Sequence, residues 1–483
     1  MNKNKESVKK LGQVFTPPLL VKFMLDVVDY SGEKILKKHI LDNSCGNGNF
    51  LVEIVKRYLE VSKLNKASLK TDLESYIHGV EVDPILHQEC LSRLNSIFPA
   101  NYDIKLGDAL FISDYNGKMD FVVGNPPYVK VHNLNVLTKD VAKAHGLAGM
   151  INLSTLFYLL SFEQLNSNGQ IIYLTPTFFQ AKQTQNLRKR ISEEKKLIQV
   201  FDFKHQQIFP DVDTYSVIAH FKNNRSSADF IYSAVELGSE LKIMNEQRVE
   251  WNEVLVMDKM FFGDLELNKA LNQELKKPNI VQVKNGFSTL ADKVFIQKNF
   301  PFQTINQIKI FKSSTGEIKQ CLFPYYYSDE KQKWLLKKFT ELEPELQEYF
   351  LFHKDRLLAR DISDKEKEDE WYAFGRRQAF ADLNSPRIYF NSLFNNEVDN
   401  VLCGIVQKKE GVYGGIYLII NDSLAIENVH QTIIKETKTN EFKAFVRSYG
   451  ESKGGGWYKI SPQVLEKYLE LLLSRTLNKE YEC

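Results

Sequence analysis

The sequence predicts an α/β fold: a doubly wound, mostly parallel sheet of seven strands in the first half, then a second domain of mixed α+β structure. Three observations predict it. Short apolar runs alternate with stretches of helical spacing through the first half of the chain. Several of those runs stop at an acid or at an Asn, Gly or Pro turn, as strands do at the loop-bearing edge of such a sheet. Beyond about residue 245 the rhythm is lost, and Trp251, Trp334, Trp371 and Trp457 all lie there. The expected domains are therefore 1–245 and 246–483.

The elements follow in order. His39–Leu41 runs into DNSCGNGNF, and Leu51–Leu59 then has helical spacing. Tyr76–Val82 reads as a second strand stopped by Asp83-Pro84, and Tyr102–Leu106 as a third ending at Gly107-Asp108. Asp42 and Glu81 are 39 residues apart, so an enlarged helical connection is expected between the first two strands. Asp120–Gly124 is a fourth, halted by Asn125-Pro126-Pro127. After an amphipathic helix over Leu153–Leu165 and an Asn168-Gly169 turn comes a fifth, Gln170–Thr175. Val200–Phe203 and Ser216–Phe221 follow closely enough to pair antiparallel, and Asn223–Ser227 marks the end of the alternation.

Composition bounds the function. With 483 residues, 43% of them hydrophobic and 12% aromatic, the chain has material for sizeable cores, and disorder as a whole is excluded. The 63 basic and 61 acidic residues leave a formal charge of +2, which excludes a strongly basic coat protein but not local positive patches. Cys45, Cys90, Cys321, Cys403 and Cys483 have no metal-site or disulfide-framework spacing, which favours a reduced, cytoplasmic setting. The polar N-terminus lacks an apolar signal core, and no run is long enough to span a membrane. The nine histidines show no ligand spacing, and no metal site is expected.

The chemistry lies at the strand ends. Gly46 and Gly48 in the first strand-to-helix turn let a ligand approach the backbone, beside the free N–H groups of a helix start. The turn is not GxGxxG, so a pyrophosphate fingerprint is not met. Glu81 ends the second strand, where an acid can take both hydroxyls of a ribose. Asp108 ends the third, placed for an adenine amine. In Asn125-Pro126-Pro127-Tyr128, two prolines stiffen the chain and remove two donors. The asparagine oxygen and the Pro126 carbonyl then offer two acceptors for a planar –NH2, and Tyr128 offers a flat face for its ring. Gripping both hydrogens favours a tetrahedral, nucleophilic nitrogen.

Taken in this order, the motifs resemble the S-adenosylmethionine-dependent DNA amino-methyltransferases acting on adenine N6, of the class I methyltransferase fold, with a C-terminal target-recognition domain. The resemblance implies roles. Gly12-Gln13-Val14-Phe15-Thr16-Pro17 is similar to the motif that caps the methionine end of the cofactor, giving Phe15 and Thr16. Asp42–Phe50 is similar to the loop beneath it, giving Asp42, Ser44, Cys45 and Gly46, although Asn43 stands where the family carries proline. Cys45 there is read as packing and not as a nucleophile. Glu81 and Asp108 match the ribose and adenine ligands. Asn125, Pro126 and Tyr128 match the catalytic motif, with Asn125 also bordering the cofactor. Phe209 in HQQIFPDVDTYS resembles the aromatic that packs on an extruded adenine.

The implied partner is double-stranded DNA, whose target base must be flipped out to reach such a pocket. Arg188 and Lys189, with Arg376 and Arg377 in WYAFGRRQ, are the candidate DNA contacts, and the second domain is expected to begin its recognition fold near Val283. The kind implied is a type II restriction-modification methylase: monomeric, with a separate cognate endonuclease and no stable complex between them. Similar tetrads occur in methyltransferases acting on RNA or on a protein glutamine, and a non-catalytic specificity protein could keep the fold. The long segment after the catalytic motifs favours DNA, and intact Asn125, Glu81 and Asp108 favour an enzyme. No HExxH, P-loop or GxSxG string is present, and Glu317-Ile318-Lys319 lacks the partner a nuclease site needs.

Overall fold

The computed structural model describes residues 14–129, 136–144, 153–181, 184–204, 206–209, 215–273, 280–395, 401–421, 424–454 and 456–481. They form two compact units that divide at Asn268 and Lys269.

The first unit is built on strands β1 (Ile40–Asp42), β2 (Ile77–Glu81), β3 (Asp103–Leu106), β4 (Met119–Gly124), β5 (Leu165–Pro176), β6 (Leu197–Asp202), β7 (Ser216–Lys222), β8 (Asp229–Leu237) and β9 (Leu241–Glu250). They join in the order β3-β2-β1-β4-β5-β7-β6-β8-β9. The strands from β3 to β5 are parallel, and β7 is inserted antiparallel between β5 and β6. β8 then runs parallel to β6, and β9 returns antiparallel.

Period-2 alternation sorts side chains onto two cores. Ile40, Val123, Ile172 and Leu174 face one side, with the helices α1 (Pro18–Val27) and α2 (Asn49–Val61) packed there. Leu41, Val122, Ile171 and Tyr173 face the other, beneath a helix over Leu153–Gln164. α2 buries Phe50, Ile54 and Tyr58 on one stripe with Leu51 and Val55 beside it. The connection from α2 to β2 is a second helix, α3 (Lys66–Tyr76), capped by Asn65, whose Oδ1 accepts from Ser68 N at 3.0 Å. Asp83 caps α4 (Pro84–Ile97), accepting from Ile85 N at 2.8 Å.

Three expectations need correction. The sheet has nine strands and not seven, because β8 and β9 extend it past the Asn223–Ser227 turn. The division at residue 245 would cut β9 in half; Trp251 belongs to the first unit, where it packs on Phe230 at 4.6 Å between ring centroids. Asn168-Gly169 is not a turn between helix and strand. It lies within β5, where the register with β4 slips between the Met119↔Leu165 and Phe121↔Gln170 pairs.

The second unit combines short sheets with helices. Val281–Asn285, Ile416–Ile420, Arg387–Phe390 and Cys403–Val406 form one antiparallel four-stranded sheet. A second four-stranded sheet, a two-stranded hairpin (Tyr325–Ser328 with Lys333–Leu336) and a three-stranded sheet complete its strands. Its core is aromatic, with Phe287, Phe295, Phe323, Tyr325, Phe374 and Phe380 in mutual contact. The edge strand Val281–Asn285 is covered by the C-terminal helix, Pro462–Tyr481. Glu470 accepts from Val281 N at 2.8 Å and Glu466 from Val283 N at 2.7 Å, so two glutamates one turn apart satisfy alternate edge amides. Among the described residues no helix is long and apolar enough to cross a membrane.

Candidate active site

The carboxyl ends of β1, β2, β3 and β4 border a single cavity of about 270 Å³. Its wall takes Asp42, Ser44, Cys45 and Gly46 from the first loop, Glu81 and Asp108 from the next two strand ends, and Asn125 from the fourth. Phe15 and Thr16 close it from the N-terminal segment. Every residue proposed from the sequence for the cofactor therefore lines one space.

The loop after β1 is held by backbone and side chain together. Cys45 N donates to Val80 O at 2.9 Å and Gly48 N to Cys45 O at 2.8 Å. Gly48 has φ +86°, and a Cβ there would lie 2.7 Å from Cys90 Sγ, so only glycine fits. Cys45 is buried, and a hydrogen bond with Cys90, together with burial, pushes its thiol upward, away from the reactive thiolate. Asn43 does what a proline would do, by other means. Its amide donates to Ser161 Oγ at 3.1 Å and to Gln164 Oε1 at 3.0 Å, while Tyr173 donates to its oxygen at 2.7 Å. Nothing in the sequence joins these residues, since Tyr173 lies 130 positions from Asn43.

The acids divide by environment. Asp42 is 1% exposed; burial, with Glu81 nearby, raises its carboxyl to about 8 against the single bond from Ser44 N at 3.2 Å. Glu81 is also raised by burial, though it accepts from Gly46 N and Asp83 N, each at 2.7 Å. Asp108 is half-buried, and one oxygen accepts from Leu110 N at 3.0 Å.

At the end of β4, Gly124 has φ +150°, and a Cβ there would stand 2.8 Å from Asp42 Oδ1. The absence of a side chain at Gly124 leaves room for the chain to pass beside the buried acid. Asn125 donates through Nδ2 to Val14 O at 3.0 Å, and its Oδ1 is buried with no partner among the described residues. Ser44 Oγ and Asn47 Oδ1, also in the cavity wall, are buried and unpartnered too. Pro126 is buried and its side chain is not among those that line the cavity. Tyr128 and Phe209 do not line the cavity. They meet edge-on at 6.4 Å and 71°, and Tyr128 donates to Leu174 O at 3.4 Å.

The sequence missed a second tier. Asn49 donates to Thr16 O at 3.1 Å, and Arg93 on α4 donates to Asn49 Oδ1 at 2.9 Å and to Asn47 O at 2.7 Å. Gly12 and Gln13 lie outside the described residues.

The candidate DNA contacts fare differently. Arg188 is 2% exposed, and its guanidinium donates to the carbonyls of Asp258, Phe178 and Ala181 and to Thr184 Oγ1. Burial lowers it to about 10. It braces the interior and is no phosphate contact. Its helix, Gln185–Glu194, turns Leu187, Arg188 and Ile191 inward. Lys189 is exposed, 3.9 Å from Glu193. Arg377 is held by Glu370 at 2.6 Å and Glu366 at 3.3 Å. Arg376 is exposed, and its backbone pairs with Ser288. Among the described residues no cluster of His, Cys, Asp and Glu could hold a metal ion.

A mostly parallel sheet with one inserted antiparallel strand, carrying a loop and two strand-end acids around one cavity, defines the class: a class I S-adenosylmethionine-dependent methyltransferase fold. Within that class the chain is related to the type II restriction-modification methyltransferases. Residues 47–209 match the family described as Eco57I restriction-modification methylase. M.AccI of Acinetobacter calcoaceticus is 27% identical over 391 residues, spanning 77% of this chain and 67% of that protein. M.HincII of Haemophilus influenzae is 26% identical over 311 residues, spanning 61% of this chain and 55% of that protein. The chain thus spans between about half and two thirds of the length of these relatives. The type IIL restriction-modification enzyme MmeI, whose structure was determined with DNA, shares the fold with a TM-score of 0.63 at 13% identity, over 94% of this chain and 68% of that one.

Proposed function

We propose that the protein is a site-specific DNA methyltransferase that transfers a methyl group from S-adenosylmethionine to N6 of a flipped-out adenine in duplex DNA, as the modification enzyme of a restriction-modification system. The observation that carries this reading is the Asn125 carboxamide. Its nitrogen is spent on Val14 O, and its buried oxygen is an acceptor awaiting a donor. Beside it Pro126 and Pro127 have no N–H to compete, so an incoming –NH2 meets acceptors alone.

The cavity suits the cofactor by its donor set: unpartnered Ser44 and Asn47 oxygens, and acids at three successive strand ends. In this reading Phe15, Thr16, Asp42, Ser44, Cys45 and Gly46 surround the methionine end, Glu81 takes the ribose, and Asp108 takes the adenine through the oxygen not bound to Leu110 N. The bound cofactor supplies an electrophilic methyl group on a sulfonium. Asn125 Oδ1 and the Pro126 carbonyl hold both hydrogens of the substrate amine, which turns its lone pair away from the ring. Tyr128, with Phe209 set against it, supplies the face on which the extruded base stacks, worth roughly 1–3 kcal/mol per contact. That stacking offsets part of the few kcal/mol of flipping. The second unit reads the target sequence, with Arg376 as an exposed cation available to phosphate or guanine. The protein acts as a cytoplasmic monomer, with a cognate endonuclease encoded separately.

Tritium transfer from labelled S-adenosylmethionine to duplex DNA, RNA and protein, offered separately, tests the reading. Label is expected in duplex DNA, as N6-methyladenine after nucleoside digestion. Label confined to RNA or to protein would replace the substrate class.

A further inference from the structure

The segment Val14–Phe15–Thr16 has a main-chain carbonyl tied down at each end by a different asparagine. Thr16 O accepts from Asn49 Nδ2 at 3.1 Å, and Val14 O accepts from Asn125 Nδ2 at 3.0 Å. Between the two ties Phe15 reaches across the loop, with its ring edge 3.4 Å from where a Cβ of Gly46 would stand. The far end is fixed in its turn, because Pro17 O accepts from Leu20 N and Val21 N at the start of α1.

Both asparagine amides are oriented by what faces them. A carbonyl opposite Asn125 can only be met by the NH2 group, so Oδ1 must point the other way, where it is buried without a partner among the described residues. Asn49 is set by the converse contact. Arg93 can only donate, so it selects Asn49 Oδ1 at 2.9 Å and leaves the NH2 for Thr16 O. Arg93 also holds Asn47 O at 2.7 Å, which fixes the loop that carries Asn49 into α2.

We infer that Asn49, locked by Arg93, is a positioning residue that aims the Asn125 carboxamide through the strap Val14–Thr16. A residue on α2 thereby sets the direction of an acceptor at the end of β4, with the strap as the rigid member between them. The inference rests on the proposed role of Asn125 for its consequence in catalysis, but the mechanical linkage stands on the contacts alone. Asn49 bonds to the strap and to Arg93 and not to Asn125; it also lines the cavity, so its effect on kcat is read at saturating cofactor.

Asn49→Asp tests it in the full chain. The carboxylate keeps a partner for Arg93 but has no N–H for Thr16 O. Hydrogen–deuterium exchange is read first, without cofactor. The peptide spanning residues 14–20 is expected to exchange faster in Asn49→Asp and in Asn125→Ala, since each removes one tie. Unchanged exchange in both variants overturns the linkage. At saturating S-adenosylmethionine, kcat of Asn49→Asp is expected to fall roughly 10- to 100-fold, the scale of an ångström-sized misplacement. In the Asn125→Ala background the same change should lower the residual rate no further, because no carboxamide remains to be aimed. An equal fall in that background would mean that Asn49 acts elsewhere, and the inference would be withdrawn. Arg93→Met, which frees Asn49 Oδ1 without touching the strap, should reproduce the faster exchange; exchange at the wild-type rate would remove Arg93 from the chain of contacts. If wild-type protein methylates no polymer, the proposed function fails, while the exchange measurements still decide the linkage.

Discussion

Asp42 gives the sharpest pH test of the cavity proposed for the cofactor. The side chain is buried, and its carboxyl is raised to about 8, chiefly by burial. S-adenosylmethionine brings a sulfonium and an ammonium, and both favour an ionised neighbour. Binding should therefore release a proton from Asp42, and the apparent affinity should follow the fraction already ionised. With a midpoint near 8, that fraction is about one half at pH 8, roughly one tenth at pH 7 and roughly one hundredth at pH 6. The dissociation constant should thus tighten by nearly ten-fold from pH 6 to 7, by about five-fold from 7 to 8, and level off above 8.5. The same shift has a stability sign. Because the folded value lies above the ordinary 3.8, the native state holds a proton that the unfolded chain has released between about pH 4 and 8. The contribution of Asp42 to the stability of the cofactor-free first unit is full below that window and is lost as pH rises through it. Calorimetric titration of S-adenosylmethionine across pH 6–8.5, in two buffers of unlike ionisation enthalpy, reads both the slope and the proton count. Asp42→Asn should flatten the affinity curve over the same range and remove the released proton. A wild-type dissociation constant independent of pH, or an Asp42→Asn curve with the wild-type slope, would refute the assignment.

Other outcomes follow from the same contacts. Asn125→Ala should lower methyl transfer by roughly 10²–10³, by analogy with losing one preorganised hydrogen-bonding group at a reacting atom, with cofactor affinity in calorimetry within a few-fold of wild type; retention of a tenth of the rate would remove Asn125 from catalysis. Asp108→Ala should weaken S-adenosylmethionine binding by roughly 1.5–3 kcal/mol while DNA affinity, measured by gel shift, is unchanged. Arg188→Ala should destabilise the first unit by about 2–4 kcal/mol in denaturant unfolding, because it orphans buried carbonyls, whereas Arg376→Gln should leave unfolding unchanged and reduce the salt slope of DNA binding by about one. A fragment ending at Gln273, which keeps the helix Leu265–Asn272 whole, should bind cofactor in calorimetry but methylate its duplex poorly; equal rates for fragment and full chain would deny the second unit a part in recognition.

The first seven strands were legible because most of them are buried on both faces and read as apolar runs with turn residues at their ends. β9 escaped for the opposite reason. It is an edge strand whose residues from Lys242 to Gln247 are mostly exposed and polar, so no alternation marks it. Arg188 was misread because a run of basic residues suggests a solvated face, although its spacing with Leu187 and Ile191 already placed it inward. The residues that line the cavity were legible as motif positions at strand ends, where the fold leaves little freedom. The bracing was not. Asn43 reaches Tyr173 and Asn49 reaches Thr16 across long sequence separations, and such contacts carry no local pattern.

The glutamates of the C-terminal helix have a meaning beyond their own hydrogen bonds. An uncovered strand edge offers its amides to any extended chain, including another copy of the same protein during synthesis. In the sheet that begins at Val281, that edge is occupied by carboxylates spaced to match its free N–H groups, an occupant that cannot be copied from molecule to molecule as a strand could. The shield follows its strand in the chain by 189 and 183 positions. Until Glu466 and Glu470 have emerged and the helix has docked, the nascent second unit must keep its own edge from finding a neighbour. The order of synthesis thereby sets how long that edge waits for its cover.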